Sequence, residues 1–313
     1  MIRATMGNQA YWDKWTNFCK ETINKDLAQL EIPSKNLTCR PQFVWGLSKE
    51  YPRWIITRYS RGDPIRDLNQ HFTGLMDTWE LSNKLTAELN IQLRPSEGWD
   101  HRHLLIAPQP SDDPRSHSDP RAWVFDLANL NHYNWCFWLV GLALSLEILD
   151  EQWNRLLVLI GGEGEDILLD RVIASRASGR RIGTTLLHKK PYARLLKAIN
   201  ATKESQADLL KDFVDHWYAE LARKGKDELW WYIYGDSEKN PLEMGSYFGR
   251  WCIEAVAAVK AFGLDDSLCL GHEHYPGDLL RPDGPSTHPD RQEKKSGWLS
   301  RLIARNKNSR GQF

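Results

Sequence analysis

Apolar residues recur at helical spacing along three stretches of the chain. In the first stretch, 63–80, successive apolar residues lie three or four positions apart: Ile65, Leu68, Phe72, Leu75 and Trp79. This spacing places them on one face of a helix. Asp63 suits the N-cap of that helix, and Pro64 suits its first position. The pattern therefore predicts a helix that begins at Pro64.

Two more helices are predicted in the second half of the chain. In 205–225, two neighbouring apolar rows lie opposite a charged face, and Gly225 can end the helix. The rows are Leu209, Phe213, Trp217 and Leu221, and Leu210, Val214 and Tyr218. In 245–263, the apolar side is rich in alanine, which allows close helix packing, and the helix runs to Gly263. Strand patterns closed by Asn-Gly or Asp-Gly are essentially missing. The chain is therefore predicted to be all-α.

The most apolar run, 135–146, has twelve residues. As a helix it would rise about 18 Å, short of the roughly 20 residues that a bilayer requires, so we interpret it as a core helix. Just before it, four prolines stand among Ser and Asp residues, a composition that cannot hold a helix. These features predict an N-terminal helical domain, 1–107, a linker, 108–120, a C-terminal helical domain, 121–281, and a basic tail, 282–313.

Charge is unevenly distributed in this chain of 313 residues, which is 41% apolar and therefore globular in composition. From Arg281 onward there are eight basic residues (Lys and Arg) and three acidic ones (Asp and Glu). The body, 1–280, therefore has 33 basic and 38 acidic residues. An acidic body argues against nucleic acid as the main ligand and suits a basic protein partner. We interpret the tail as a solvated segment. Its apolar residues leave attachment to a membrane surface as an alternative: Trp298, Leu299, Leu302 and Ile303.

The cysteines and the N-terminal segment bear on the cellular compartment. The five cysteines are scattered and form no C-x-x-C pair, so we expect buried thiols rather than disulfides or a zinc site. The first eighteen residues lack the apolar segment that export needs. We therefore expect a cytoplasmic protein.

Candidate catalytic chemistry is sparse. His272, Glu273 and His274 have the composition of a metal site, but residues two apart lie about 200° apart on a helix, whereas a helical zinc motif needs a spacing of four. The segment Gly161–Asp166 lacks the Gly-Lys-Ser/Thr ending of a phosphate loop, so we interpret it as an acidic turn between helices. No cofactor or metal is predicted. The alternative is a helical metal-dependent hydrolase that uses His272, His274 and Glu254.

Glu254 lies in the middle of the alanine-rich helix, where an unpaired carboxylate would be costly. It therefore needs a partner or a wet groove. One interpretation is a structural ion pair or a hydrogen bond to a neighbouring helix, and the other is a general base with a raised pKa. No residue nearby in the sequence supports the second interpretation.

Two segments carry a resemblance to a known family. The segment Tyr247–Leu279 resembles the C-terminal signature of the PoNi immunity proteins. The segment Ile56–Leu68 is similar to the N-terminal element of that family, in which an Arg-Tyr-Ser-x-Gly sequence, here beginning at Arg58, leads into a helix. The matching C-terminal positions are Trp251, Glu254, Ala255, Gly263, Asp265, Asp266, Ser267, Tyr275, Pro276, Asp278 and Leu279. The two segments stand in the order that the family has.

The resemblance implies a helical, non-enzymatic protein that neutralises a polymorphic toxin, often delivered by a type VI secretion system and typically a DNA-degrading nuclease. Such a protein would bind its cognate toxin rather than nucleic acid or a membrane. The candidate contact residues are Glu163, Glu165 and Asp166, Asp112 and Asp113, and Trp230 and Trp231. Asp265 or Asp266 would cap a short helix after Gly263, and Tyr275 and Pro276 would hold the chain end against it.

Overall fold

The computed structural model describes residues 1–34, 36–92 and 121–290. Within these ranges the chain forms nine α-helices and no strand, which confirms the prediction of an all-α protein. The helices are α1 Gln9–Leu30, α2 Arg40–Arg61, α3 His71–Gln92, α4 Leu130–Ser145, α5 Asp150–Ile160, α6 Ile167–Ala174, α7 Lys189–Asn200, α8 Lys203–Glu220 and α9 Ile253–Phe262. In this part of the chain, none of the helices is long and apolar enough to cross a membrane.

The first three helices pack with α2 between α1 and α3. The apolar row predicted between Ile65 and Trp79 is buried, but α3 begins at His71 and not at Pro64. A short 3-10 turn, Ile65–Asp67, precedes it. The carboxylate of Asp63 accepts hydrogen bonds from Arg58 and Arg61 at 2.6 Å each, so it does not act as a helix cap.

In the second half of the chain, α4 is the central helix. Every residue from Tyr133 to Ser145 is buried, in agreement with the interpretation of this run as a core helix. It packs against α9, and a Cβ atom on Gly141 would lie 2.6 Å from Cγ2 of Ile253. Gly141 therefore allows the two helices to approach closely.

The predicted bounds of the last two helices need correction at two places: α8 ends before Gly225, and α9 begins at Ile253 rather than at the start of 245–263. Helix α8 ends at Glu220 with Leu221 as its C-cap, so Gly225 does not end it and instead begins a 3-10 turn. Helix α9 ends as predicted, with Gly263 in the left-handed region at φ 64°. Among the five cysteines, four are buried, but Cys39 is exposed, contrary to the expectation of buried thiols.

One hydrophobic cluster includes side chains from all nine described helices. The predicted domains therefore share a core within the described ranges. The predicted linker, 108–120, lies outside the described residues, so the domain boundary there stays a prediction. Ser286–His288, which fall in the predicted tail, hydrogen-bond to the body of the protein.

Candidate functional site

Residues of the two family-like segments meet at one seam in the interior. The indole Nε1 of Trp251 donates a hydrogen bond of 2.8 Å to Oγ of Ser60, and that hydroxyl donates one of 2.6 Å to the carbonyl of Phe248. The ring of Tyr59 meets the Trp251 ring edge-on at 5.1 Å. Ser60 and Trp251 are both buried. The seam therefore connects α2 to the segment that leads into α9.

Arg58 organises the turn after α2. Its Nε donates to Asp63 at 2.6 Å and its Nη1 donates to the carbonyl of Asp67 at 3.2 Å. The guanidinium also lies 2.5 Å from Nε2 of His71. Burial, and then the charge of Arg58, lower the pKa of His71 to about 4, so the ring is neutral at pH 7 and can accept a hydrogen bond. Arg58 thus stabilises the start of α3.

Asp278 connects the N-terminal segment to the last described residues. Its carboxylate accepts hydrogen bonds from Arg3 at 2.6 Å, from Ser286 at 2.8 Å and from the backbone N–H of Thr287 at 2.6 Å. Burial alone would raise the pKa of Asp278, but these bonds lower it below its usual value. Asp278 is therefore a buried, ionised residue with a structural role.

Asp266 and Tyr275 close the segment after α9. The hydroxyl of Tyr275 donates to Asp266 at 2.6 Å, and Arg281 donates two further bonds to the same carboxylate. Asp265 accepts a hydrogen bond of 2.9 Å from the backbone N–H of Ser267, the first residue of a 3-10 helix. Pro276 is buried beside Tyr275. Asp265 thus bonds to the first turn of that helix, while Asp266 holds Tyr275 and Arg281.

Glu254 lies at the centre of the C-terminal half and has no exposed surface. Its Oε1 accepts hydrogen bonds from Nδ2 of Asn134 at 2.8 Å and from the hydroxyl of Tyr192 at 2.9 Å. Oε2 of Glu254 has no hydrogen bond of normal geometry, and neither does the indole N–H of Trp217. The indole nevertheless lies near the carboxyl and helps to lower its pKa. Burial dominates and raises the pKa of Glu254 to about 7.

The raised pKa alone does not indicate a catalytic base, because it follows from full burial of the carboxyl. Its partners come from α4 and α7, so the carboxylate joins three helices. Asn134 extends this network, since its Oδ1 accepts a hydrogen bond of 2.9 Å from the indole of Trp231. This arrangement favours the structural interpretation of Glu254.

The two histidines of the proposed metal motif bond to backbone groups instead. Nδ1 of His272 accepts from the backbone N–H of His274 at 3.1 Å, and Nδ1 of His274 lies 3.0 Å from the carbonyl of Arg250. Burial lowers the pKa of both rings. Among the described residues, no group of three or more His, Cys, Asp or Glu side chains could hold a metal ion. The geometry therefore gives no support to the hydrolase alternative.

The Gly-rich segment Gly161–Asp166 is a turn between α5 and α6, as interpreted from the sequence. Asp166 is fully buried and caps α6 through hydrogen bonds from Leu168 and Leu169. This burial corrects its prediction as a partner contact. Glu163 is exposed, but its carboxylate accepts the backbone N–H of Arg181 at 2.7 Å, and this bond lowers its pKa. Glu165 is half-buried.

The two adjacent tryptophans point in opposite directions. Trp231 is 2% exposed and lies in the core, which corrects its prediction as a contact, whereas Trp230 is 43% exposed. The ring of Trp230 packs against those of Trp135, Tyr234 and Phe248, with centroids 6.4, 5.8 and 5.8 Å away. Trp230 is therefore the one large exposed side chain among the predicted contacts within the described residues. Asp112, Asp113 and the apolar residues of the tail lie outside them.

Sequence reasoning missed the residues that complete these networks, namely Arg3, Asn134 and His288. Asn134 is a polar residue directly before the apolar run 135–146, a position that signals a buried polar partner. Arg3 and His288 gave no such signal. Nε2 of His288 lies 2.8 Å from the hydroxyl of Tyr59, and burial lowers the pKa of His288 to about 4.

Comparison with known proteins identifies the family. The model for "PoNe immunity protein (PoNi), N-terminal" matches residues 3–158, and the model for "PoNe immunity proteins (PoNi), C-terminal" matches residues 164–279. The chain belongs to the PoNi family of immunity proteins. Membership implies that its partner is a nuclease toxin. The two PoNi models meet between residues 158 and 164, that is, at the end of α5 and in the turn that follows it.

The fold is also similar to that of a solved structure, the crystal structure of protein PA2201 from Pseudomonas aeruginosa. The TM-score is 0.63 over 90% of each chain, at 15% sequence identity. At this identity the similarity concerns the fold alone. No curated protein matches the chain.

Proposed function

We propose that this protein neutralises a cognate secreted antibacterial DNase by binding it stoichiometrically and covering its active site. We also propose that the toxin belongs to a type VI secretion system and that the immunity protein acts in the cytoplasm of the producing cell. One observation carries the proposal beyond family membership. The motif residues Arg58, Trp251, Glu254, Asp266 and Asp278 all bond to other groups of the protein itself.

Bonds of this kind support a structural role for these side chains. They fix a scaffold whose surface is formed before a partner arrives, and a preformed surface loses little conformational entropy on binding. A nuclease presents a basic cleft to DNA, and an acidic surface can be steered toward that cleft by charge. Inhibition then needs occupancy of the cleft and no turnover.

Titration of the toxin separates this mechanism from an enzymatic one. DNA cleavage by the purified toxin encoded beside this gene is measured while the protein is added, at concentrations well above the dissociation constant. We expect inhibition to rise in proportion to the added protein and to be complete at one equivalent. Complete inhibition far below one equivalent would indicate an enzyme that modifies the toxin, and no inhibition at ten equivalents would contradict the immunity function.

Metal analysis gives an independent check on the hydrolase alternative. We expect no stoichiometric zinc or iron in the purified protein, because His272 and His274 each bond to backbone groups. Stoichiometric metal that is lost from the His272→Ala variant would revive the alternative.

A further inference from the structure

The segment 227–244, between α8 and α9, combines acidic side chains with an exposed aromatic ring. From Asp227 to Met244 the sequence has five acidic residues and a single basic one, Lys239. Four of the acidic side chains are exposed, namely Asp227, Glu228, Glu238 and Glu243. None of the five forms an ion pair with another described residue. The charge of the four exposed side chains is therefore available to a partner.

The Gly-rich turn differs in this respect. There, Glu163 bonds to the backbone of Arg181, and the charges of Arg180 and Arg181 also lower its pKa. Arg180 in turn pairs with the buried Asp170 at 2.7 Å. The acidic charge of the turn is thus compensated within the protein. In segment 227–244 this is true of Asp236, which accepts the backbone N–H groups of Glu238 and Lys239, but the four exposed carboxylates form no ion pair with another described residue.

Trp230 is held in place on this segment before any partner binds. Its backbone N–H donates to Oδ1 of Asn131 at 3.2 Å, and Nδ2 of Asn131 donates to the carbonyl of Glu228 at 3.1 Å. The neighbouring Trp231 is buried and donates to Asn134. These bonds attach the segment to α4. Large aromatic side chains fixed in this way are the usual energetic centres of protein interfaces.

A buried donor beside Trp230 has no acceptor. Trp135 is 8% exposed, its ring centroid lies 6.4 Å from that of Trp230, and its indole N–H has no hydrogen-bond partner among the described residues. A buried polar group without a partner costs free energy. Five other indole N–H groups among the described residues also lack an acceptor, so Trp230 and the exposed carboxylates, and not this donor, mark the surface.

We propose that segment 227–244 is the surface that binds the toxin, with Trp230 as the anchor and Asp227, Glu228 and Glu243 facing the basic DNA-binding cleft. This inference rests on the proposed function and names the surface that performs it. The occupant is a protein surface rich in Arg and Lys, because a basic partner compensates four exposed acidic residues that form no ion pair with another described residue. Guanidinium groups both pair with carboxylates and stack on indole rings, so they suit both parts of the surface.

The test measures binding of the purified toxin nuclease domain to four variants by surface plasmon resonance. We expect Trp230→Ala to raise Kd at least about 30-fold, mainly through faster dissociation. The double variant Asp227→Lys, Glu228→Lys should slow association about 10-fold at low salt, and the difference from wild type should shrink as salt is raised. The double variant changes exposed side chains only, so it keeps the test valid if Trp230→Ala folds poorly.

Matched controls are Phe18→Ala, which removes another exposed ring, and the double variant Glu21→Lys, Asp208→Lys, which makes the same charge change elsewhere. We expect both controls to bind as wild type does. If the segment variants bind normally while wild type inhibits the toxin, the surface assignment is overturned and the immunity function stands. If wild type does not bind the toxin, both proposals are overturned.

Discussion

The buried carboxyl of Glu254 leads to a prediction about how stability depends on pH. Its pKa is about 7 in the folded protein and about 4.5 when exposed. Between these two values the folded state binds more protons than the unfolded state, so this group makes the free energy of unfolding fall as pH rises. The contribution is lost as pH rises through 7. At 1.36 kcal/mol for each pKa unit, the fall between pH 5 and pH 8 is about 2.5 kcal/mol.

Buried histidines act in the opposite direction. The pKa values of His71 and His288 are lowered to about 4, so they make the protein more stable as pH rises from about 4 to 6.5. The wild-type curve alone therefore mixes several groups. The difference between wild type and Glu254→Gln isolates the carboxyl, because the variant keeps both histidines and cannot ionise at this position.

The assay is urea unfolding of both proteins at pH 5 and pH 8, followed by tryptophan fluorescence. From pH 5 to pH 8, we expect the free energy of unfolding of Glu254→Gln to rise by about 2.5 kcal/mol relative to that of wild type. The amide places an N–H donor near the unpaired indole of Trp217, which lowers stability at both pH values by a similar amount. A pH-independent difference between the two proteins would refute the reasoning. Normal folding with loss of toxin inhibition would contradict the structural role of Glu254.

Two further predictions concern packing and hydrogen bonds. Tyr275→Phe removes one hydrogen-bond donor from the buried carboxylate of Asp266 and should lower the free energy of unfolding by about 1–3 kcal/mol. An unchanged free energy in urea unfolding would show that the bond makes no net contribution to stability. Gly141→Ala places a Cβ atom 2.6 Å from Ile253 and should lower the free energy of unfolding by about 1–3 kcal/mol. The control Gly46→Ala, in an open part of α2, should raise it by about 0.5–1 kcal/mol. Equal effects of the two variants on thermal unfolding would contradict close α4–α9 packing.

Helical periodicity predicted which residues are buried better than where helices begin. The apolar row from Ile65 to Trp79 is inside the protein, because burial depends on the period of the pattern. The helix start was wrong because Asp63 bonds to Arg58 and Arg61 instead of capping. That competition depends on side-chain geometry, which the order of residues does not specify.

The candidate site was predictable only in part. The position of Glu254 in an apolar helix correctly predicted that its carboxylate has a hydrogen-bond partner. The sequence could not identify that partner, Asn134, because it lies 120 positions away in the chain. Acidic residues in a Gly-rich turn suggested an exposed contact, yet Asp166 is a buried helix cap. Trp230 and Trp231 are adjacent in sequence and opposite in exposure. Which of the two faces solvent depends on tertiary packing.

The seam between Ser60 and Trp251 restricts how members of this family can recombine. Ser60 lies in the region matched by the N-terminal model, and Trp251 and Asp278 lie in the region matched by the C-terminal model. A chimera that joins the first region of one relative to the second region of another must therefore preserve two bonds between the regions. These are the bond between the hydroxyl of Ser60 and the indole of Trp251, and the bond between Arg3 and the carboxylate of Asp278. Where the donor sequences differ at these positions, the hybrid would bury unpaired polar groups at its centre, so inheritance of the two regions as a unit is favoured.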